Sequence, residues 1–213
     1  MSLSVAARNS PLSRKQVEEV AHLMQIELVP SWVETRGDKD QCTSLRTLVK
    51  TDFFTHEIDE MVLTGQVRIG VHSFKDLPDP LPKGLYLAAT TPCLDARDAL
   101  VIQQGLTLSA LPFRALIATS SERREQAALL LRPDFRFKDI RGTIGQRLQV
   151  LDNQEVDGVI IAEAALLRLG LTHLTRVYLP GQTAVGQGQL AVVCRACDEE
   201  IIAFFQTRSL QHC

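Results

Sequence analysis

The chain has 213 residues, 45% of them hydrophobic and 23% charged, with a formal net charge of −2. This is ordinary globular composition, which excludes disorder and fibre, and the length suits two small domains. A nucleic-acid binder would carry a basic excess, and a membrane protein an apolar run of roughly 18 residues or more; the sequence has neither.

Arg8, Pro11 and Arg14 leave no apolar stretch for a signal peptide, so a soluble, cytoplasmic protein is expected. SVAARNSPLSRKQVEEVAHLM predicts a strand to about Ala7, a turn, and a helix with Ser10 as cap and Pro11 at its first position. Val17, Val20, Ala21 and Met24 recur at the spacing of a buried helix face. IELVPSWVET is a second strand, followed by the polar segment Arg36 to Thr43 and a helix from about Phe54 to Leu63. VRIGVHS, 67–73, reads as a strand buried on both faces, and it runs directly into Lys75, Asp76 and prolines 78, 80 and 82.

A crossing into a second domain is expected near residue 92. There ALIATSSERREQAALLL predicts a strand to about Thr119, a Ser-Ser cap, and a helix with Arg123 and Arg124 in its first turn. DFRFKDIRGTIGQRLQVL repeats the pattern, with Arg141-Gly142 at the strand exit and Arg147 on the helix. DGVIIAEAALLRLG is a further unit, with Arg168 in the last turn and Gly170 as the C-cap. VYLPGQTAVGQGQLAVVCR is a Gly-rich return and a strand going back to the first domain. The alternation predicts an α/β fold with largely parallel sheets, domain 1 being 1–91 plus 186–213 and domain 2 being 92–185. The five cysteines, at 42, 93, 194, 197 and 213, are odd in number and form no framework, as in a reducing compartment. Cys194-Arg-Ala-Cys197 has no second pair, so it reads as a strand end entering a turn, and no metal site is expected.

In parallel α/β sheets ligands bind beyond the carboxyl ends of the strands, where helix N-termini offer free N–H groups and partial positive charge. The residues predicted there are Arg8, Ser10, Ser73, Lys75, Asp76, Ser120, Ser121 and Arg141, with Arg123, Arg124 and Arg147 one turn inside their helices. A guanidinium fork suits a carboxylate, so several of them imply a ligand with several carboxylates or phosphates. Neither GxxxxGK[ST] nor GxGxxG occurs, which argues against a phosphate loop and against dinucleotides. Asp76, a lone carboxylate among cations, suits stabilising a developing cation or accepting from N–H donors. Singly, a Lys-Asp pair is an ordinary solvated ion pair and paired arginines an ordinary surface. Their recurrence from strand exit to helix start is what points to a site. His72 lacks a partner at metal spacing and reads as a packed or solvent-edge imidazole, and Trp32 as core or surface apolar.

The sequence resembles the hydroxymethylbilane synthase (porphobilinogen deaminase) family. ARNSPLSRKQ, VETRGD, VRIGVHSFKDLP, DARDALV, IATSSERREQ, RPDFRFKDIRGTIGQRLQVLDNQEVDGVIIAEAALLRLGL and LPGQTAVGQGQLAVVCR carry the likeness, in order, from Ala6 to Arg195. The resemblance implies two domains of periplasmic-binding-protein type II architecture, mostly parallel sheets flanked by helices, with an interdomain cleft. It implies a transferase that condenses four porphobilinogen units, each with an acetate and a propionate, into a linear tetrapyrrole with loss of ammonia. Asp76 would be the catalytic aspartate, with Lys75 beside it. Arg8, Ser10, Gln16, Arg123, Arg147 and Arg168 would serve the substrate or growing product. Ser73, Lys75, Thr119, Ser121, Arg124, Arg141 and Gly142 would hold a dipyrromethane cofactor. Porphobilinogen is then the one partner expected, for a monomer that engages neither nucleic acid nor membrane.

Three departures stand out. The family's third, cofactor-anchoring domain is expected to be absent, so no cysteine matches the family's anchor, and Cys213, which lies too early to match it, is a candidate substitute. The Gly-Gly-Lys-Gly type loop before Phe54 reads VKTDF, and Glu122 stands where the family usually has an apolar residue. The competing reading is a two-domain protein that binds a pyrrole or other polycarboxylate without turnover, for which Asp76 would be dispensable.

Overall fold

The computed structural model describes residues 2–40, 43 and 52–208. Among these, residues 2–40, 52–94 and 185–208 form one compact unit, and 95–184 with residue 43 form the other.

The first unit opens with β1 (Ser2–Arg8), α1 (Pro11–Met24), β2 (Glu27–Val33) and the short α2 (Arg36–Lys39). After α3 (His56–Leu63) come β3 (Ile69–Ser73), a 3₁₀ turn over Phe74–Asp76 and β4 (Leu85–Thr90). The second unit comprises β5 (Asp98–Ile102), β6 (Leu116–Ala118), α4 (Glu122–Leu131), β7 (Arg136–Lys138), α5 (Ile144–Asp152), β8 (Gly158–Ala162), α6 (Glu163–Arg168) and β9 (Arg176–Tyr178). The chain then returns to the first unit as β10 (Leu190–Arg195) and α7 (Glu199–Thr207).

Alternation along β1 turns Leu3, Val5 and Ala7 to one face and Ala6 to the other. The first three pack with Val17, Val20 and Met24 of α1 and with Ile201 and Phe205 of α7. Ala6 packs with Ile58 and Val62 of α3, with Val67 and with Leu85. Val67 therefore belongs to the core but not to the strand, which starts two residues later than the expected 67. Helix α1 begins where the sequence predicts: Ser10 is extended and its Oγ accepts from the Ser13 N–H at 3.1 Å, a cap worth about 1 kcal/mol. In the second unit every residue of β5 and β8 is buried. Leu100, Ile102, Ile117 and Ile160 pack there with Ala127 and Ala128 of α4 and with Phe135.

The first sheet has the order β2-β1-β3-β10-β4 and the second β7-β6-β8-β5-β9. In the first, β1 is parallel to β2 and β3, while β10 is antiparallel to β3 and β4. In the second, β6 is parallel to β7 and β8, while β5 is antiparallel to β8 and β9. Among the described residues each sheet thus holds one reversed strand, and that strand starts at the rim where its antiparallel neighbours end. Leu190 stands opposite Ser73, and Asp98 opposite Ala162.

Two local expectations change. The Ser-Ser cap of α4 is not made: Ser121 holds the N-cap position without a side-chain capping bond. Ser120 is drawn instead to Ile140, accepting from its N–H at 3.2 Å and donating to its carbonyl. Gly170 lies one residue past the C-cap Leu169, at φ +69°, the left-handed position that closes a helix. The CxxC pair does straddle a strand end and a turn. Cys194 is buried, and burial, reinforced by the charge of Asp198, pushes its thiol up to about 11; Cys197 is exposed. Cys42, Cys213 and residues 49–51 of the VKTDF stretch lie outside the described residues. No described helix is long and apolar enough to cross a membrane.

Candidate functional site

In the first unit the parallel neighbours β1 and β3 end at the same rim, and their exits carry Arg8 and Ser73. Gln16, buried on α1, joins the two exits by donating from Nε2 to Ser73 Oγ at 2.9 Å. Ser10 is there too, with its hydroxyl engaged at the helix cap. Arg8 donates from Nε to Asp38 Oδ2 at 3.3 Å and from Nη2 to Oδ1, and its guanidinium lies 4.4 Å from the centre of the Phe54 ring. Asp38 also accepts from the N–H and hydroxyl of Thr35. Burial pushes the Asp38 carboxyl up, but the hydrogen bonds and charge of Arg8, with those of Thr35, more than offset it and hold it below the usual range.

Lys75 and Asp76 ride on the 3₁₀ turn after β3, and that turn is seated on the Gly-rich segment before β10. The Phe74 N–H donates to the Gln189 carbonyl at 3.1 Å. Gly186 has φ +71°, and a Cβ there would stand 1.8 Å from the Phe74 ring, so only glycine allows the approach. Lys75 Nζ donates to Oε1 of the buried Gln187 at 3.4 Å. Asp76 is half-buried, with no side-chain hydrogen bond or ion pair among the described residues. Beneath the turn His72 is a packed imidazole, its Nε2 3.2 Å from Oδ1 of the equally buried Asp59.

In the second unit Thr119 and Ser121 follow β6, and Arg141 and Gly142 follow its parallel neighbour β7. Thr119 is fully buried, and its N–H donates to the Lys138 carbonyl at 3.0 Å. Gly142 has φ +95°, and its carbonyl accepts from Arg147 Nε at 2.9 Å. Arg168 sits in the last turn of α6, half-buried, away from the strand end at which that helix begins.

Arg123 and Arg124 meet at a single acid that the reading of strand exits passed over. Arg124 donates to Asp98 Oδ1 from Nε at 2.9 Å and Nη2 at 2.7 Å, and Arg123 donates to Oδ2 from Nη2 at 2.7 Å. Burial pushes the Asp98 carboxyl up, and the charge and hydrogen bonds of Arg124, then of Arg123, more than offset it and bring it below the usual range. Asp98 and Gln187 were both missed for one reason: each lies at or just before the start of a reversed strand, so it reaches the rim from the end of the strand that parallel topology leaves empty. The usable signal for Asp98 was a lone acid opening the apolar strand DALVI. Asp38, on α2, had no comparable signal.

Chemically, the first unit offers a guanidinium and an ammonium for carboxylates and, among the described residues, one carboxylate without a counter-ion; the second offers guanidinium groups and an N-cap hydroxyl left over at Ser121. Among the described residues no group of three His, Cys, Asp or Glu is placed to hold a metal.

The family described as "Porphobilinogen deaminase, dipyromethane cofactor binding domain" matches residues 3–203. A porphobilinogen deaminase of Syntrophomonas wolfei is 37% identical over 209 residues, covering 94% of this chain and 68% of that protein. One of Bacillus subtilis is 36% identical over 214 residues, covering 96% and 68%. The chain spans about two thirds of the length of these relatives. Among solved structures, an ancestral cationic amino acid solute-binding protein aligns with a TM-score of 0.57 at 12% identity, over 97% of this chain and 87% of that one. That likeness is one of fold, the periplasmic-binding-protein architecture.

Proposed function

The chain belongs to the porphobilinogen deaminase family, and on that footing we propose that it is a transferase condensing four porphobilinogen units stepwise into a linear tetrapyrrole, with release of ammonia, in porphyrin and haem biosynthesis. It works as a cytoplasmic monomer on a small-molecule substrate.

The observation that carries this reading is Asp76, a half-buried carboxylate without a side-chain partner among the described residues, next to a lysine tied to Gln187. An uncommitted carboxylate can accept from a pyrrole N–H. As ammonia leaves porphobilinogen the pyrrole becomes cationic, and a fixed negative charge stabilises that state more than the neutral ring, which lowers the barrier. Lys75 is its partner in catalysis. Arg8, Ser10, Gln16, Arg123, Arg147 and Arg168 serve the acetates and propionates of the substrate and growing chain, which gains two carboxylates per unit.

The donor set also fits a dipyrromethane. In the first unit Lys75 suits its carboxylates, with Ser73 beside it; in the second Ser121, Arg124 and Arg141 suit them, with Thr119 and Gly142, and Ser121 keeps its hydroxyl free of the helix it caps. When bound, this group supplies the pyrrole carbon to which the first unit is joined.

The test is to incubate purified protein with porphobilinogen, oxidise the product and read uroporphyrin by absorbance, with intact mass recorded before and after. Product is expected, together with a mass gain of whole pyrrole units. Binding of porphobilinogen with neither product nor adduct would leave a binding protein in place of the enzyme.

A further inference from the structure

Asp98 opens β5, and its backbone is held on both sides: it registers with Ala162 of β8, and its carbonyl accepts from the Leu179 N–H at 2.9 Å. Its side chain is 1% exposed, against 12% for Arg124 and 34% for Arg123. A short side chain on a pinned strand has little freedom, so it is a firm support for two long and flexible ones.

The commitments of the two guanidinium groups are unequal and specific. Arg124 spends its Nε–Nη2 edge on Asp98 and leaves Nη1 without a hydrogen bond among the described residues. Arg123 spends Nη2 on Asp98 and Nη1 on the Gln182 carbonyl at 3.0 Å, leaving Nε. One carboxylate therefore holds two guanidinium groups by only part of their N–H edges, in a first turn of α4 that also carries Glu122 and Glu125. Unspent N–H groups on a rigid support suit the reception of a carboxylate.

We infer that Asp98 is a positioning residue for the reaction, holding Arg123 so that its unspent N–H receives a carboxylate of porphobilinogen or of the growing chain, and Arg124 so that its unspent N–H groups receive one of the dipyrromethane. The inference rests on the porphobilinogen reading. It assigns Asp98 no contact with substrate: the acid acts through the arginines.

Asp98→Glu keeps the charge but moves the carboxylate outward by about one bond length, and Asp98→Asn keeps the shape but drops the charge. Both variants are compared with the unaltered protein for thermal midpoint, kcat and KM, and for porphobilinogen affinity by calorimetry. In Asp98→Glu the midpoint should stay within a few degrees while KM and Kd rise by roughly tenfold or more, since about 1 Å of misplacement is costly. Unchanged KM and Kd in a folded Asp98→Glu would reduce Asp98 to a structural salt bridge and overturn the inference. If neither variant folds, nitrogen-detected exchange on the unaltered protein decides. Arg124 Nε–H should exchange slowly with and without porphobilinogen, and Arg123 Nε–H should gain protection only when it is present; fast exchange at Arg124 Nε, or no change at Arg123 Nε, overturns the inference. Unaltered protein that does not bind porphobilinogen overturns the functional reading and this inference together, whereas normal binding with an indifferent Asp98→Glu overturns this inference alone.

Discussion

Among the described residues Asp76 stands without a counter-ion, whereas Arg8, Arg123 and Arg124 each lean on an acid of their own unit, Asp38 or Asp98. Each arrangement suits the role proposed for the group. A guanidinium on a long side chain loses rotamer freedom when it grips a ligand, and an internal acid makes part of that loss in advance. A carboxylate that must stabilise a transient cation loses strength if a resident cation already neutralises it. In Asp76→Asn the side chain keeps its shape and loses its charge. Turnover should fall by about a hundredfold or more, while porphobilinogen affinity changes by no more than about threefold. Steady-state kinetics beside calorimetry checks this, and equal losses in both would remove Asp76 from the chemical step.

At the scale of elements, the turn bearing Lys75 and Asp76 is seated by Phe74 and Leu77, which pack with Ala191 and Val193 of β10, and by the segment preceding that strand. Gly186 is the point of closest approach to Phe74. Gly186→Ala adds a Cβ in a left-handed backbone and against an aromatic ring, so it should cost about 2 kcal/mol or more and lower kcat as the turn shifts. Urea unfolding and kinetics on the same variant read both effects. Helix α5 is a simpler case: Thr143 accepts from the Gln146 N–H at 3.4 Å and Gln146 reaches back to the Thr143 N–H at 2.8 Å. Thr143→Ala should cost about 1 kcal/mol without altering KM. Helix α1 was fully legible in Ser10, Pro11 and the spacing of Val17, Val20 and Met24, because its cap and its apolar stripe are local. The start of α4 was only half legible: Ser121 holds the N-cap position without a capping bond, and Ser120 turns to Ile140, twenty residues along the chain.

Over the whole molecule the net charge of −2 conceals carboxylates held ionised by paired arginines. Asp98 and Asp198 lie below the usual range because arginine charge and hydrogen bonds outweigh the upward push of burial. Asp134 falls to about 2, chiefly through its hydrogen bond from Arg132. The unfolded chain binds these protons near pH 3.9, so the stabilisation is complete above about that pH and is lost as pH falls through the lower native values. The thermal midpoint should therefore hold from neutral pH to about pH 5 and drop below about pH 4, and Asp98→Asn should flatten part of that drop. A midpoint that is level down to pH 3 would contradict it.

The sequence by itself determined the alternation of strands and helices from β1 to β3 and from β6 to α6, and the kinds of side chain that follow those strands, because these depend on periodicity, caps and local chemistry; β4, β9 and α7 were not read from it. It did not determine the direction of β5 and β10, which depends on pairing between segments up to about a hundred residues apart. Once those strands run backwards, their first residues fall beside their neighbours' last ones. Asp98 then reaches Arg123 and Arg124, and Gln187 reaches Lys75. Tertiary structure alone decided which acid supports which cation, because a side chain of two or three bonds can act only on what the fold brings to within about 3 Å of it.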